Sequence, residues 1–277
     1  MEFGKSPLSE KHNATIIIPA RKGSTRFPNK PLATVAGQLL LFRTWKIAQA
    51  VDGVDAVYIA TDDNELRSVA EGFGASVLMT PAGCDNGTER VFAAASQLPV
   101  RPDVIVNLQG DAVLTPPWVI QAVVDAMTMN PEIAMATPAT ALSWAQYDQF
   151  VAAKAGGRVS GTLVVFDKNQ RALYFSKGFI PFIRDRMPVL ESIAPPIYRH
   201  IGLYGYRYTT LERYVNWQPT PLEKIEKLEQ LRALENGLPI QIVLVDYRGR
   251  THWSIDNKED VAIAEGIIRS EGELVLL

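Results

Sequence analysis

Residues 15–32 read Thr-Ile-Ile-Ile-Pro-Ala-Arg-Lys-Gly-Ser-Thr-Arg-Phe-Pro-Asn-Lys-Pro-Leu. The β-branched run at the start predicts a buried strand, and Pro19 ends it. The loop that follows combines positive charges, hydroxyl donors and a glycine, which suits a polyphosphate, and it lies where open α/β sheets bind ligands. It matches neither the Walker A nor the dinucleotide pattern, and a solvated basic surface loop is the alternative. The candidate phosphate ligands are Arg21, Lys22, Ser24, Arg26 and Lys30.

The composition predicts one large α/β core, because the chain has 277 residues and is 47% hydrophobic. A net charge of −2 gives no support for a nucleic-acid partner. No apolar run approaches the ~20 residues of a membrane helix, and residues 1–13, which lack the apolar core of a signal peptide, are expected to be a disordered tail. The single cysteine, Cys84, excludes an internal disulfide and is typical of the cytoplasm.

The order of elements predicts the fold class. Strand-like and helical segments alternate early in the chain, which indicates a mainly parallel, Rossmann-like sheet flanked by helices. We expect a single domain over 14–277, with a smaller α+β lobe at about 160–220, where strands follow one another with few helices. The segment 222–234 predicts one amphipathic helix, supported by Glu223 and Lys227 four residues apart.

Two aspartates stand out as candidate metal ligands or caps. Asp111 ends the run Val-Asn-Leu-Gln-Gly-Asp after a predicted strand, where a carboxylate faces the usual ligand crevice and can hold Mg²⁺. Capping of the next turn is the alternative for Asp111. Asp256 precedes the last predicted helix, and Glu259 three residues later predicts an N-cap with a capping box.

A second helix start falls at Asn86, where Glu89 completes the pattern of a capping box. The glycine at position 87 would let a ligand approach this helix N-terminus closely. An ordinary capped helix is the alternative.

These motifs, taken in order, resemble those of the 3-deoxy-manno-octulosonate (Kdo) cytidylyltransferase family, over roughly residues 14–270. The matching stretches are 18–32, 85–90, 106–111, 174–185, 198–206, 214–232 and 253–260. The resemblance implies the fold of the nucleotide-diphospho-sugar transferases. It also implies transfer of CMP from CTP to a sugar acid, a homodimer, and a glycan pathway such as lipopolysaccharide biosynthesis.

The resemblance also assigns roles to individual residues. It implies that Arg21, Lys30, Asp111 and Asp256 are catalytic and that the two aspartates hold Mg²⁺. The implied CTP contacts are Arg21, Lys22, Ser24, Arg26, Lys30, Gly87, Thr88 and Arg90. The implied sugar-acid contacts are Gln109, Lys177, Arg184, His200 and Gln230.

The chain departs from the family pattern mainly on the sugar-acid side. Lys177 replaces an arginine and cannot make the same bidentate contact with a carboxylate, and Leu163 replaces a lysine. A different acceptor, such as 8-amino-Kdo or a nonulosonic acid, is therefore an alternative. The residues also leave open a sugar-1-phosphate nucleotidyltransferase and a non-catalytic nucleotide-binding homologue.

Overall fold

The computed structural model of the chain describes residues 13–23, 26–155, 161–184 and 197–277. Of the predicted tail, only Asn13 lies in these ranges, and Ser24 of the basic loop lies outside them. None of the helices within the ranges combines the length and the apolar character that crossing a bilayer requires.

Strands and helices alternate along the described chain. The strands are β1 (Ala14–Pro19), β2 (Thr34–Val35), β3 (Gln38–Leu39), β4 (Ala56–Thr61), β5 (Ser76–Met79), β6 (Val104–Leu108), β7 (Met135–Ala141), β8 (Thr162–Phe166), β9 (Ala172–Ser176), β10 (Tyr198–His200), β11 (Leu203–Tyr206) and β12 (Gln241–Leu244). The helices are α1 (Leu40–Gln49), α2 (Asn64–Gly72), α3 (Gly87–Ala95), α4 (Pro117–Met129), α5 (Trp144–Ala155), α6 (Tyr208–Val215), α7 (Pro221–Glu226), α8 (Gln230–Glu235) and α9 (Glu259–Glu271). A short 3-10 helix covers Lys30–Leu32.

All of these strands except the β2–β3 hairpin form one sheet, in the order β5-β4-β1-β6-β11-β7-β10-β8-β9, with β12 paired to β7. The first half of the chain supplies a parallel block, because β1 pairs in parallel with β4 and β6, and β4 pairs in parallel with β5. Antiparallel pairing enters this sheet with β8 to β11, which come from the predicted smaller lobe. The predicted Rossmann-like fold is confirmed.

The first strand shows why helices cover both faces of the sheet. Ile16 and Ile18 pack in one core cluster with Leu41 of α1, whereas Ile17 packs in the other cluster with Val91 of α3. All three isoleucines are fully buried. Since side chains alternate between the faces of a strand, a strand covered on both faces is apolar throughout. Burying each isoleucine contributes about 1.5–3 kcal/mol.

The single helix predicted over 222–234 is wrong. The chain forms α7 and α8 instead, separated after Lys227, whose φ of 56° lies in the left-handed region. Because Lys227 leaves the helical path, the expected Glu223–Lys227 pair is replaced. Glu223 accepts hydrogen bonds from Arg232 of α8 at 2.6 and 2.8 Å. This ion pair fixes the two short helices against each other.

Candidate active site

The basic loop after β1 borders a cavity of about 260 Å³, named here the loop cavity. The cavity lies at the carboxyl ends of β1 and β6, which pair directly. Four cationic side chains and one carboxylate line it: Arg21, Arg26, Lys30, Arg90 and Asp111. This excess of positive charge suits an anionic group with several oxygens.

Backbone contacts fix the described part of the loop. Ala20 donates its N–H to the carbonyl of Ala60 at 2.9 Å, and Asn29 donates to the carbonyl of Lys22 at 3.2 Å. Asn29 has a φ of 57° and precedes the 3-10 helix, in which Lys30 comes first. The turn at Asn29 therefore sets the direction in which Lys30 leaves the backbone.

Lys22 lies outside the loop cavity. Its Nζ contacts the carboxylate of Glu65 and lies 3.1 Å from Oδ1 of Asp63, and hydrogen bonds from these carboxylates raise the pKa of Lys22. Asp63 also caps α2, because it accepts from the backbone N–H groups of Glu65 and Leu66. Lys22, a predicted phosphate ligand, therefore pairs with carboxylates at the N-terminus of α2.

The N-terminus of α3 forms the opposite wall of the loop cavity. Asn86 caps the helix, since its Oδ1 accepts from the N–H of Glu89 at 2.9 Å, as predicted. A Cβ on Gly87 would lie 3.2 Å from Oε1 of Gln109, so glycine allows this close packing. Arg90 is buried and donates to Oγ1 of Thr80 at 2.6 Å. Gly87, Gln109 and Arg90 all line the cavity.

The two predicted metal ligands lie close together and are held by two cations of the loop. Nζ of Lys30 lies 2.6 Å from Oδ2 of Asp111 and donates to the carbonyl of Ile255 at 3.0 Å. Arg26 donates to Oδ1 of Asp256 at 3.0 Å. Burial raises the pKa of Asp256, the charge of Asp111 raises it further, and Arg26 and Lys30 oppose both effects. The carboxylates are therefore near enough to repel each other.

This pair of carboxylates suits a hard divalent cation. Carboxylate oxygens are the ligands that Mg²⁺ prefers, and Mg²⁺ usually keeps water and substrate oxygens in its remaining positions. Across the described ranges, no group of three or more His, Cys, Asp or Glu side chains is arranged to hold a metal. A site with two protein carboxylates fits Mg²⁺ better than it fits zinc, which takes three or four protein ligands.

The N-cap predicted at Asp256 is wrong. Helix α9 begins at Glu259, and Oδ2 of Asp260 accepts from the N–H groups of Asp256 at 2.9 Å and Asn257 at 3.0 Å. Asp260 thus holds the backbone of Asp256 and Asn257, and the carboxylate of Asp256 pairs with Arg26 instead of capping the helix. Asp260, at the end of the motif 253–260, therefore positions the backbone of Asp256.

A second and larger cavity, of about 650 Å³, is named here the wide cavity. Asp256, Lys177, His200 and Gln230 line it, and Arg26 lines both the wide cavity and the loop cavity. One aspartate of the pair thus faces each cavity, with Arg26 between them. Arg184 is exposed and lines neither cavity.

His200 is a buried, neutral hydrogen-bonding group. Its Nε2 lies 2.8 Å from Oγ1 of Thr137, whose hydroxyl also lies 2.7 Å from the carbonyl of Leu203. Since the hydroxyl has one hydrogen to give to that carbonyl, it accepts from Nε2–H, which leaves Nδ1 as an acceptor. Burial lowers the pKa of His200 to about 3. The ring therefore suits a hydroxyl group of a ligand better than a carboxylate.

Replacing His200 by Gln is expected to flatten the acid side of the stability profile. The pKa of this histidine is about 3 in the folded chain, against the ordinary 6.5. Between these values the unfolded chain binds a proton that the folded chain does not, so this group lowers stability by about 1.4 kcal/mol per pH unit as pH falls. Urea unfolding at several pH values measures the slope, and equal slopes for variant and parent would contradict a neutral buried ring.

Buried hydrogen bonds connect the walls of the two cavities. Gln109 donates to Asn107 at 2.9 Å, Asn107 donates to the hydroxyl of Thr88 at 3.1 Å, and Thr88 donates to Oε2 of Glu229 at 3.1 Å. The next residue, Gln230, lines the wide cavity. The structure thus places Gln109, which the motifs assign to the acid, in the loop cavity, and Thr88 in the connection between the two.

The chain matches a known protein family over most of its length. A family model described as cytidylyltransferase matches residues 15–242. The chain belongs to the cytidylyltransferase family. It is 52% identical over 259 residues to a 3-deoxy-manno-octulosonate cytidylyltransferase of Maricaulis maris, and the match covers 94% of this chain and 98% of the relative. The resemblance predicted from the motifs is therefore confirmed.

Further relatives show the range within this cytidylyltransferase family. An 8-amino-3,8-dideoxy-manno-octulosonate cytidylyltransferase of Shewanella woodyi is 37% identical over 91% of this chain and 97% of its own length. A solved CMP:2-keto-3-deoxy-manno-octonic acid synthetase complexed with CTP is 29% identical, with a TM-score of 0.80 over 94% of this chain and 99% of that chain. A 4-diphosphocytidyl-2C-methyl-D-erythritol synthase of Anaerococcus prevotii, 12% identical with a TM-score of 0.58, shares the fold.

Three residues of this cytidylyltransferase site were not predicted from the sequence. Arg199 lines the wide cavity, Glu229 lies in the buried connection, and Asp260 holds the loop that carries Asp256. Each stands next to or within a motif, but the motif pattern alone gave it no chemical role. Ser24 lies outside the described residues, so its predicted contact stays a prediction.

Proposed function

We propose that the protein transfers CMP from CTP to Kdo or a close relative, a 3-deoxy-2-keto sugar acid, and releases pyrophosphate. The observation that carries the proposal is the pair of cavities that share Arg26, with Asp111 facing one and Asp256 facing the other. A triphosphate in the loop cavity and an acid in the wide cavity would bring the reacting atoms together at this pair. The names of the relatives support both substrates.

The reaction joins the anomeric hydroxyl of the acid to the α-phosphorus. The bond between that phosphorus and the bridging oxygen of pyrophosphate breaks, and the hydroxyl gives up its proton. Such transfer depends mainly on positioning and on neutralising charge. Arg21, Arg26 and Lys30 would hold the phosphates and stabilise the departing pyrophosphate.

We also propose Mg²⁺ as the cofactor, held by Asp111 and Asp256. When bound, the metal would acidify the attacking hydroxyl and neutralise charge on the phosphate. Lys30 pairs with Asp111 and Arg26 pairs with Asp256. These ion pairs reduce the repulsion between the two carboxylates before substrates bind. The two cations thus hold the carboxylates in place.

The acid would be held by groups of the wide cavity. Lys177 supplies a positive charge for the carboxylate, and His200 and Gln230 offer hydrogen bonds to hydroxyls. Because a lysine is a point charge, Lys177 would grip a carboxylate with less directional preference than an arginine. The proposal also includes a homodimer, which rests on the motifs alone, and a cytoplasmic location, which rests on the single cysteine.

Pyrophosphate release, measured with each nucleoside triphosphate against a panel of acids, tests the proposed function. The panel contains Kdo, its 8-amino relative and a nonulosonic acid. We expect release with CTP and a Kdo-type acid and a rate at least tenfold lower with ATP, GTP or UTP. Equal rates with all four nucleotides would exclude a cytidylyltransferase, and no release with any pair would favour a non-catalytic homologue.

A further inference from the structure

A third cavity, of about 330 Å³, adjoins the wide cavity. It shares Arg199, His252 and Trp253 with the wide cavity and is named here the Arg199 cavity. Its lining also includes Arg250 and the exposed Gln149 of α5, and the described residues that line it include no aspartate or glutamate. The charged side chains of this described lining are both arginines, and the carboxylate of Glu271 reaches the cavity only through the N–H and hydroxyl of Thr251.

The guanidinium of Arg199 has no carboxylate partner among the residues that the structure describes. Arg199 lies on β10 between Thr140 of β7 and Leu163 of β8, so its backbone is fixed in the sheet. Its Nε is sealed from solvent and has no hydrogen-bond acceptor among the described residues, and none of the ion pairs found there includes it. Burial lowers the pKa of Arg199, and the group that opposes this effect is the phenol of Tyr247. Arg199 is half-buried, and its Nε is a sealed donor without an acceptor, which costs free energy.

A neighbouring histidine and a neighbouring lysine interact with Arg199. Nδ1 of His252 is also sealed from solvent without a described partner. Burial lowers the pKa of His252, and Arg199 lowers it further, which shows that the two side chains are close. Arg199 likewise contributes to the lowered pKa of Lys154 on α5, after burial and Lys177. Lys154 thus adds positive charge near Arg199, whereas the ring of His252 is neutral and offers only a hydrogen-bonding nitrogen.

We propose that the Arg199 cavity binds a small oxyanion, of phosphate or carboxylate chemistry, on the guanidinium of Arg199. A planar guanidinium matches two oxygens of such a group at once. The described lining residues include two arginines and no carboxylate, which favours an anion over a cation or a neutral sugar. The volume of about 330 Å³ admits phosphate or pyrophosphate. The anion would supply the negative charge that Arg199 lacks. Binding of this anion is a function additional to the proposed transfer reaction.

Thermal unfolding of the full chain with increasing inorganic phosphate tests the proposal without any assay of catalysis. Gln149→Glu places a negative charge at the cavity from an exposed position of α5, and Gln49→Glu, exposed at the end of α1, is the matched control. We expect the apparent Kd for phosphate to rise about tenfold in Gln149→Glu and to stay unchanged in Gln49→Glu. Phosphate that binds in the loop cavity raises the Tm of both variants equally.

If the apparent Kd for phosphate were equal in Gln149→Glu and Gln49→Glu, the proposal would be overturned, and any phosphate bound in the cavity would be an adventitious ion only. Arg199→Met provides a second measurement. Its response to phosphate should fall, because the guanidinium that would bind the anion is gone. Since Arg199 lines the wide cavity as well, Gln149→Glu, which changes the Arg199 cavity alone, decides which cavity holds the anion. An unchanged response would also overturn the proposal. Parallel titration with acetate at equal ionic strength separates the sources, since a response to acetate supports a carboxylate and a response to phosphate alone supports a phosphate.

Discussion

Asp111→Asn is expected to lower the rate of pyrophosphate release by about a thousandfold or more while leaving the fold intact. Asp111 is one of two carboxylates at the junction of the cavities, and an amide oxygen in its place carries no charge for a divalent cation. The side chain keeps its size, and Lys30 can still donate to the amide oxygen. The loss should therefore fall on turnover and on Mg²⁺ affinity more than on stability.

The control for this variant is Asp52→Asn, which removes a carboxylate from an exposed turn remote from both cavities. Pyrophosphate release and Mg²⁺ binding by calorimetry are compared for the two variants and the parent. A parental rate in Asp111→Asn would remove Asp111 from the proposed metal site. A loss of activity accompanied by a lower Tm would point to a structural role instead.

The parallel half of the fold follows from local pattern. Strands such as β1 and β6 are short, apolar and buried on both faces, and such runs are hard to mistake when turns flank them. Two helices, α5 and α6, were not predicted. Helix α5 has no buried residue among those described, and α6 buries Tyr208, Leu211 and Tyr214. The apolar stripe of α6 consists largely of tyrosines, which are weak helix formers, and α5 lacks a buried stripe, so neither gives the usual sequence signal of an amphipathic helix.

The candidate site was predictable in its location and less so in its side-chain directions. The pattern of β1 and its loop identifies the ligand end of the sheet, and Lys30, Arg26, Asp111 and Asp256 meet there. Lys22 lies in the same loop but turns to the start of α2, because two carboxylates offer it a closer partner there. Pairing between distant parts of the chain is not encoded in local spacing, so the sequence cannot give these directions.

Lys30→Met is expected to change two measurements in opposite directions. Nζ of Lys30 lies 2.6 Å from Oδ2 of Asp111, where a divalent cation would also bind. Removal of this charge should lower kcat/KM for CTP by about a hundredfold, since a phosphate contact is lost. It should tighten binding of Mg²⁺ to the enzyme without CTP, because the ammonium no longer competes for the carboxylate. Lys168→Met, in an exposed turn, is the control.

The same variant should also shift the pH profile. Lys30 helps to lower the pKa of Asp256, so its removal raises that pKa, and the carboxylate protonates at a higher pH. The acidic limb of the activity profile should then move to higher pH, and tight Mg²⁺ binding should be lost sooner as pH falls. Weaker Mg²⁺ binding by Lys30→Met at neutral pH would mean that the lysine organises the two aspartates instead of competing with the metal. The sign of that change in Mg²⁺ affinity therefore separates the two roles of Lys30, which a loss of turnover alone does not.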